Sequence, residues 1–308
     1  MIRDIIPDIH GQADKLTGLL GRLGYRETRG TWRHPDPGRA VVFLGDFIDR
    51  GPENARVLHI VRSMIDAGHA QAVMGNHELN AIHFHSRHSS TGAPLRAHSP
   101  KNLKQHARFL DEHPIGSAAA REAIAWMKSL PLWLEFPGFR AIHACWDARA
   151  MAEAECHLTD ARLDDQAVEW SADPDHPLFH AVEVLAKGPE VPLPDGTTFT
   201  DKDGHVRSEI RVAWWKPKAR TWQEIAISVP DPEAQLPAGP LPGVIGYEPY
   251  PADAKPVFFG HYWLTGEIVL QAPNALCLDY SAGKDGPLVA YTFVDGSTGL
   301  DLQNVTVG

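Results

Sequence analysis

The chain has 308 residues, of which 43% are hydrophobic and 22% charged. That is ordinary globular usage and enough length to bury a core unaided, which excludes a disordered, collagen-like or disulfide-scaffold chain. Lys and Arg number 29 against 39 Asp and Glu, a formal charge of −10, so non-specific nucleic-acid binding, which needs a basic face, is disfavoured. No apolar run approaches the length of a membrane span. Residues Met1 to Asp4 show no secretory leader pattern, and Cys145, Cys156 and Cys277 form no close pair. A cytoplasmic protein with reduced thiols is the expectation.

In chain order, residues 3–7 form a short apolar strand ending on Asp8-Ile9-His10-Gly11. Leu16, Leu19, Leu20 and Leu23 recur at helical spacing before Gly24. Residues 40–44 are a continuous apolar strand ending on Gly45-Asp46-Phe47-Ile48-Asp49-Arg50-Gly51. Pro52 suits the start of the next helix, whose apolar face is Val57, Leu58, Val61, Met64 and Ile65. Residues 72–74 are a third strand, ending on Gly75-Asn76-His77-Glu78. Apolar strands alternating with helices indicate an α/β sheet covered on both faces, with ligands taken at the carboxyl ends of the strands.

The remainder is less regular. Residues 80–115 are polar and histidine-rich and read as helical excursions over the site; His83, His85, His88 and His98 fit an auxiliary metal site or a solvated loop, the loop being favoured. A helix over 118–128 precedes a hairpin of 132–136 and 139–142, turned by Pro137-Gly138 and ending on His143. Residues 150–255, rich in proline and acid, hold a helix near 178–185. Residues 257–259 lead into Gly260-His261, and 275–280 and 288–294 close as strands. The whole reads as one domain over 1–308, with insertions or cap elements at about 80–130 and 150–255.

Five strand ends thus deliver carboxylate, imidazole or amide oxygen, a donor set suited to manganese, iron or zinc. Singly each has a plainer explanation. Asp46 and Asn76 are good helix caps, and a histidine at a strand end is usually a core residue. Five in order, each after a strand, outweigh those explanations.

The ordered motifs resemble the calcineurin-like metallophosphoesterases, in the phosphoprotein-phosphatase-like branch that includes bacterial Ser/Thr phosphatases and diadenosine tetraphosphatases. The resemblance spans residues 4 to 261, and its most specific part is the Gly45–Gly51 motif. It implies a four-layer α/β/β/α sandwich with inserted cap segments. It implies two divalent metal ions, manganese first, with iron or zinc as alternatives. Asp8, His10 and Asp46 would hold the first ion, and Asp46, Asn76, His143 and His261 the second. His77 would be the general acid, Asp49 its orienting carboxylate and Arg50 a phosphate-binding cation.

The implied activity is hydrolysis of phosphate esters by a bridging hydroxide at the dinuclear centre, on a phosphorylated small molecule, nucleotide or phosphoprotein. A phosphomonoesterase of protein-phosphatase type comes first and a dinucleoside polyphosphate hydrolase second. A non-catalytic binding module is the alternative from another class, motivated by Pro7 where the family carries glycine. Trp263 stands where nuclease branches carry a second histidine, which favours the phosphatase-like branch. Arg207, Arg211, Lys216, Lys218 and Arg220 read mostly as surface charges, while the resemblance implies a second arginine that reaches substrate phosphate from the cap; Trp214 and Trp215 are expected to pack in the core or cap.

Overall fold

The computed structural model describes residues 1–194, 196–201, 204–243 and 246–308. Two sheets face each other. The first runs Val305–Val307, Val289–Val294, Ile2–Ile6, Arg39–Phe43, Ala70–Ala72. Its last three strands are parallel, and Val289–Val294 is antiparallel to Ile2–Ile6. The second runs Ala275–Cys277, Val257–Phe259, Arg140–Ile142, Trp133–Glu135. Here the first three are parallel and Trp133–Glu135 closes the hairpin antiparallel.

Strand alternation builds the layers, because successive side chains point to opposite faces. Ile5, Val42 and Leu44 of the first sheet meet Phe139, Ala141, Phe258 and Leu276 of the second in one buried cluster between the sheets. Their neighbours Ile6, Val41 and Phe43 belong instead to the cluster with Leu16 and Leu20 of helix α1 (Ala13–Arg22) and Val57 and Val61 of helix α2 (Asn54–Asp66). Across the second sheet, Ile142, Val257, Phe259 and Cys277 point away from the inter-sheet space. Helices α3 (Asn76–His85), α4 (Pro100–Glu112), α5 (Ala118–Lys128), α6 (Ala148–Glu155), α7 (Asp165–Trp170) and α8 (Pro177–Lys187) follow in the chain. Met151 and Ala154 of α6 and Leu178 and Val182 of α8 share that outward cluster. The architecture is the four-layer α/β/β/α sandwich.

Some elements differ from the sequence reading. The third strand is Ala70–Ala72, not 72–74. Val73 N–H still donates to Phe43 O of the neighbouring strand, and the chain then leaves it, with Met74 N–H donating to Pro131 O. The strand at 275 ends at Cys277, where the chain turns toward Asp279. Helix α2 starts at Asn54, since Glu53 and not Pro52 borders it. His83 and His85 lie on helix α3 rather than in a loop. The hairpin Arg26–Thr28/Thr31–Arg33, the edge strand Val305–Val307 and the small sheet of Glu190–Pro192, Glu209–Val212 and Ala226–Ile227 were not foreseen. Among the described residues no helix is long and apolar enough to cross a membrane.

Candidate metal centre

All the sequence-selected ligands come together at the carboxyl ends of the parallel strands, and all are buried. Asp8 and His10 follow Ile2–Ile6, Asp46 follows Arg39–Phe43, His143 follows Arg140–Ile142 and His261 follows Val257–Phe259. Asn76 opens α3. The backbone is bent hard to achieve this. His10, Asp46, Asp49, Arg50, His261 and Trp263 all have φ between +51 and +72°, a region costly for non-glycine residues and concentrated at functional sites. Gly75 and Gly260 explain why the motifs need glycine. A Cβ on Gly75 would strike the Asp46 carboxylate, and one on Gly260 the Asp8 carboxylate.

Asp46 sits between two groups of ligands. Its Oδ2 lies 3.6 Å from His10 Nε2, and its Oδ1 lies 3.5 Å from His143 Nε2. Two convergent trios result, His10/Asp46/His77 and Asp46/His143/His261, each with ligand atoms within 4.8 Å of one another. Asp46 alone is common to both. Asn76 Oδ1 adds an oxygen to the second, 3.0 Å from His143 Nε2 and 2.8 Å from His261 Nδ1. Asp8 belongs to neither trio and accepts the backbone N–H of His261 with both oxygens at 3.1 Å.

The proton inventory fits a cation at each trio. His10 Nδ1 meets Ile48 O at 2.9 Å and His143 Nδ1 meets Leu44 O at 2.8 Å. A carbonyl accepts only, so the Nδ1 atoms carry the protons and both Nε2 lone pairs point inward. His143 Nε2 then faces an amide oxygen, lone pair to lone pair. His10 Nε2 and His261 Nε2 are buried without a hydrogen-bond partner among the described residues. Buried orphan acceptors cost stability unless something satisfies them.

The electrostatics point the same way. Burial lowers His10 to about 4, with the His77 charge adding to it. Burial likewise lowers His143 and His261, keeping them in the neutral form that ligation requires. Burial, then Asp279 and Asp46, push Asp8 well above the usual carboxylate range. Burial raises Asp279 to about 6. Three buried carboxylates pressed together call for positive charge.

The groups expected to do proton and phosphate chemistry border this centre. His77 Nδ1 lies 2.6 Å from Asp49 Oδ2, while His77 Nε2 is 4.0 Å from Asp46 Oδ2. Burial alone would lower His77, but the Asp46 charge and the Asp49 bond outweigh it and raise it. Arg50 is exposed, its guanidinium 4.6 Å from the centroid of the Trp263 indole. Trp263 in turn stacks on His10 at 5.1 Å, and the Lys284 ammonium lies 5.1 Å from the same indole centroid.

Other residues hold this arrangement, and the sequence marked few of them. Glu78 accepts N–H donors from Asp46 at 2.7 Å, Phe47 at 2.8 Å and Gly75 at 3.0 Å, so it ties two motif loops together. Asp279 accepts from the N–H groups of Trp263 and Ser281. Lys15 reaches from α1 to the carbonyls of Ala282, Lys284 and Gly286 and fixes the turn that carries Lys284. Of the five later cations, Arg211 bears on His261, lowering it second only to burial. Its Nε is buried without a partner among the described residues. Trp214 and Trp215 are buried core residues. Burial raises the Cys145 thiol far above its ordinary value, which makes it inert as a nucleophile.

Comparison with known proteins agrees with this geometry. Residues 4–144 match the calcineurin-like phosphoesterase family. Over 74 residues the chain is 46% identical to bis(5'-nucleosyl)-tetraphosphatase PrpE [asymmetrical] of Halalkalibacterium halodurans, covering 24% of this chain and 30% of that protein. The Bacillus subtilis protein of the same name is 43% identical over 77 residues, 25% of this chain and 31% of the relative. The chain therefore matches under a third of the length of these relatives. The fold is shared with a protein serine/threonine phosphatase from Saccharomyces cerevisiae. That likeness has a TM-score of 0.50 at 16% identity, covering 100% of this chain and 79% of the other. Over residues 4–144 the chain is thus similar to the calcineurin-like phosphoesterases.

Proposed function

We propose that this protein is a metal-dependent phosphoesterase that hydrolyses phosphate monoesters. The observation that carries the reading is Asp46, which has an imidazole Nε2 near each of its oxygens and the His77–Asp49 pair alongside. Asp8, His10 and Asp46 would hold one divalent ion, and Asp46, Asn76, His143 and His261 a second. The oxygen and imidazole donors suit manganese first, then iron or zinc. Bound there, two ions supply activated water and charge to offset the phosphoryl oxygens.

The chain's own groups do the rest. Arg50, exposed at the edge of the centre, takes phosphate oxygens through its planar fork. Arg211, with an unsatisfied buried Nε, is the second cation proposed to face the phosphoryl group. His77 presents Nε2 toward the centre and gives its proton to the departing oxygen. Asp49 holds Nδ1, fixing the tautomer and keeping the proton on the ring. The segments 80–130 and 150–255 are proposed to wall the site, and Arg211 comes from the latter.

A second reading, hydrolysis of dinucleoside polyphosphates, rests on the partly exposed Trp263, an indole with two cations against it. The matched relatives carry that activity in their name. The binding-module alternative, motivated by Pro7, would show divalent-metal binding without turnover. Turnover of p-nitrophenyl phosphate against diadenosine tetraphosphate, with manganese added, tests both. A kcat/KM at least about tenfold higher on the monoester supports the first reading, and the reverse order supports the second. Turnover of neither contradicts both.

A further inference from the structure

We propose that His106 is a positioning residue for the general acid, clamping Asp49 so that His77 Nε2 faces the scissile bond. The inference rests on the phosphoesterase reading. Asp49 has two carboxylate oxygens, and each is taken by a different imidazole. Oδ2 meets His77 Nδ1 at 2.6 Å and Oδ1 meets His106 Nδ1 at 2.8 Å. All three side chains are buried. The Asp49 N–H donates to Asn54 Oδ1 at 2.5 Å.

A carboxylate bonded at one oxygen can still turn about its Cβ–Cγ bond, and an imidazole hung on it turns with it. A second bond on the other oxygen stops that rotation. The direction of the His77 ring is therefore set from its far side by His106. Hydrogen bonding at this remove orients reacting groups in the way that outer partners orient metal ligands.

His106 is itself held. Its ring stacks on Phe109 at 4.7 Å and lies against Phe84 at 5.2 Å. Its Nε2 is 3.3 Å from His85 Nε2. If His106 Nδ1–H donates to Asp49, its Nε2 is an acceptor, and a neutral His85 donates to it. Burial lowers His85 to about 4, so it is neutral. One proton then serves each bond in the row His85, His106, Asp49.

The residue comes from α4, outside every ordered motif. The same helix grips the other support of Asp49. Glu112 Oε1 accepts from the Asn54 backbone N–H at 2.7 Å and from Asn54 Nδ2 at 3.0 Å. Helix α4 thus reaches Asp49 twice, directly through His106 and through Asn54.

The test exploits the leaving group. Proton donation matters little for departing p-nitrophenolate and greatly for phenolate, a poorer leaving group. His106→Asn keeps an amide N–H where Nδ1 was. His106→Gln places its N–H near the Nε2 position and loses the Asp49 bond. Both variants are polar and similarly sized, so a general loss of packing affects both alike. On the full chain with manganese, H106Q should lose at least about tenfold more kcat on phenyl phosphate than on p-nitrophenyl phosphate. H106N should recover most of that difference. Equal losses on the two esters, or no recovery by H106N, would overturn the positioning role. Wild-type protein inactive on both esters would instead overturn the phosphoesterase reading and this inference with it.

Discussion

At the residue scale the protein is organised around Asp46 and His77. Burial alone would raise Asp46, but His143, His77 and His10 outweigh it and lower the carboxyl. Removing its charge should therefore disturb both trios together. Asp46→Asn is expected to lower bound divalent metal by at least one ion per chain and to abolish turnover. Unchanged stoichiometry by mass spectrometry would refute the bridging place assigned to it. His77→Asn has the opposite signature. It should cut kcat by about 100-fold or more while metal content stays at the wild-type level, and a parallel fall in metal would make His77 a ligand rather than an acid. The residues proposed for these two roles were legible because each follows an apolar strand and belongs to a spaced motif. His106, Asp279 and Lys15 were not legible. Each acts on the site from an element with no motif of its own, and only the folded chain brings them within bonding distance.

At the element scale, strands and amphipathic helices followed from periodicity, and their ends did not. Helix α5 was read with its observed limits because Ser117 caps it and its apolar face is regular. The strand Ala70–Ala72 differs from 72–74 because Val73 and Met74 are as apolar as strand residues, but Met74 turns its N–H away to Pro131 O. Helix α3 was mistaken in part for loop. It is polar around much of its circumference, yet Leu79, Ile82 and the histidine His83 are all buried against neighbouring elements. Helix α4 offers a quantitative prediction. Glu112 accepts three donors from Asn54 and Ala55, so Glu112→Ala leaves the Asn54 backbone N–H unpaired and should cost about 1–3 kcal/mol in urea unfolding. A change below about 0.5 kcal/mol would show that α4 is seated by its apolar contacts alone.

At the scale of the whole molecule, the four layers bury histidines that must stay neutral. His83, bonded to Ser171 Oγ at 2.9 Å, is lowered to about 3 by burial and by the charges of Lys187 and Arg96. The unfolded chain takes up that proton near pH 6.5, whereas the folded chain does not until far lower. Its contribution to stability is thus intact above about pH 6.5 and falls by about 1.4 kcal/mol per pH unit below it. His83→Gln should flatten the loss of stability between pH 7 and pH 5 in urea titrations. A slope parallel to wild type would contradict the assignment.

The central claim concerns the centre where five strand ends meet. Metal content of the purified chain by mass spectrometry, read together with p-nitrophenyl phosphate turnover under added manganese, tests it most directly. The account predicts close to two divalent ions per chain and turnover that a chelator abolishes and manganese restores. A chain that binds no divalent ion after reconstitution, or turns over substrate equally well without one, would contradict it.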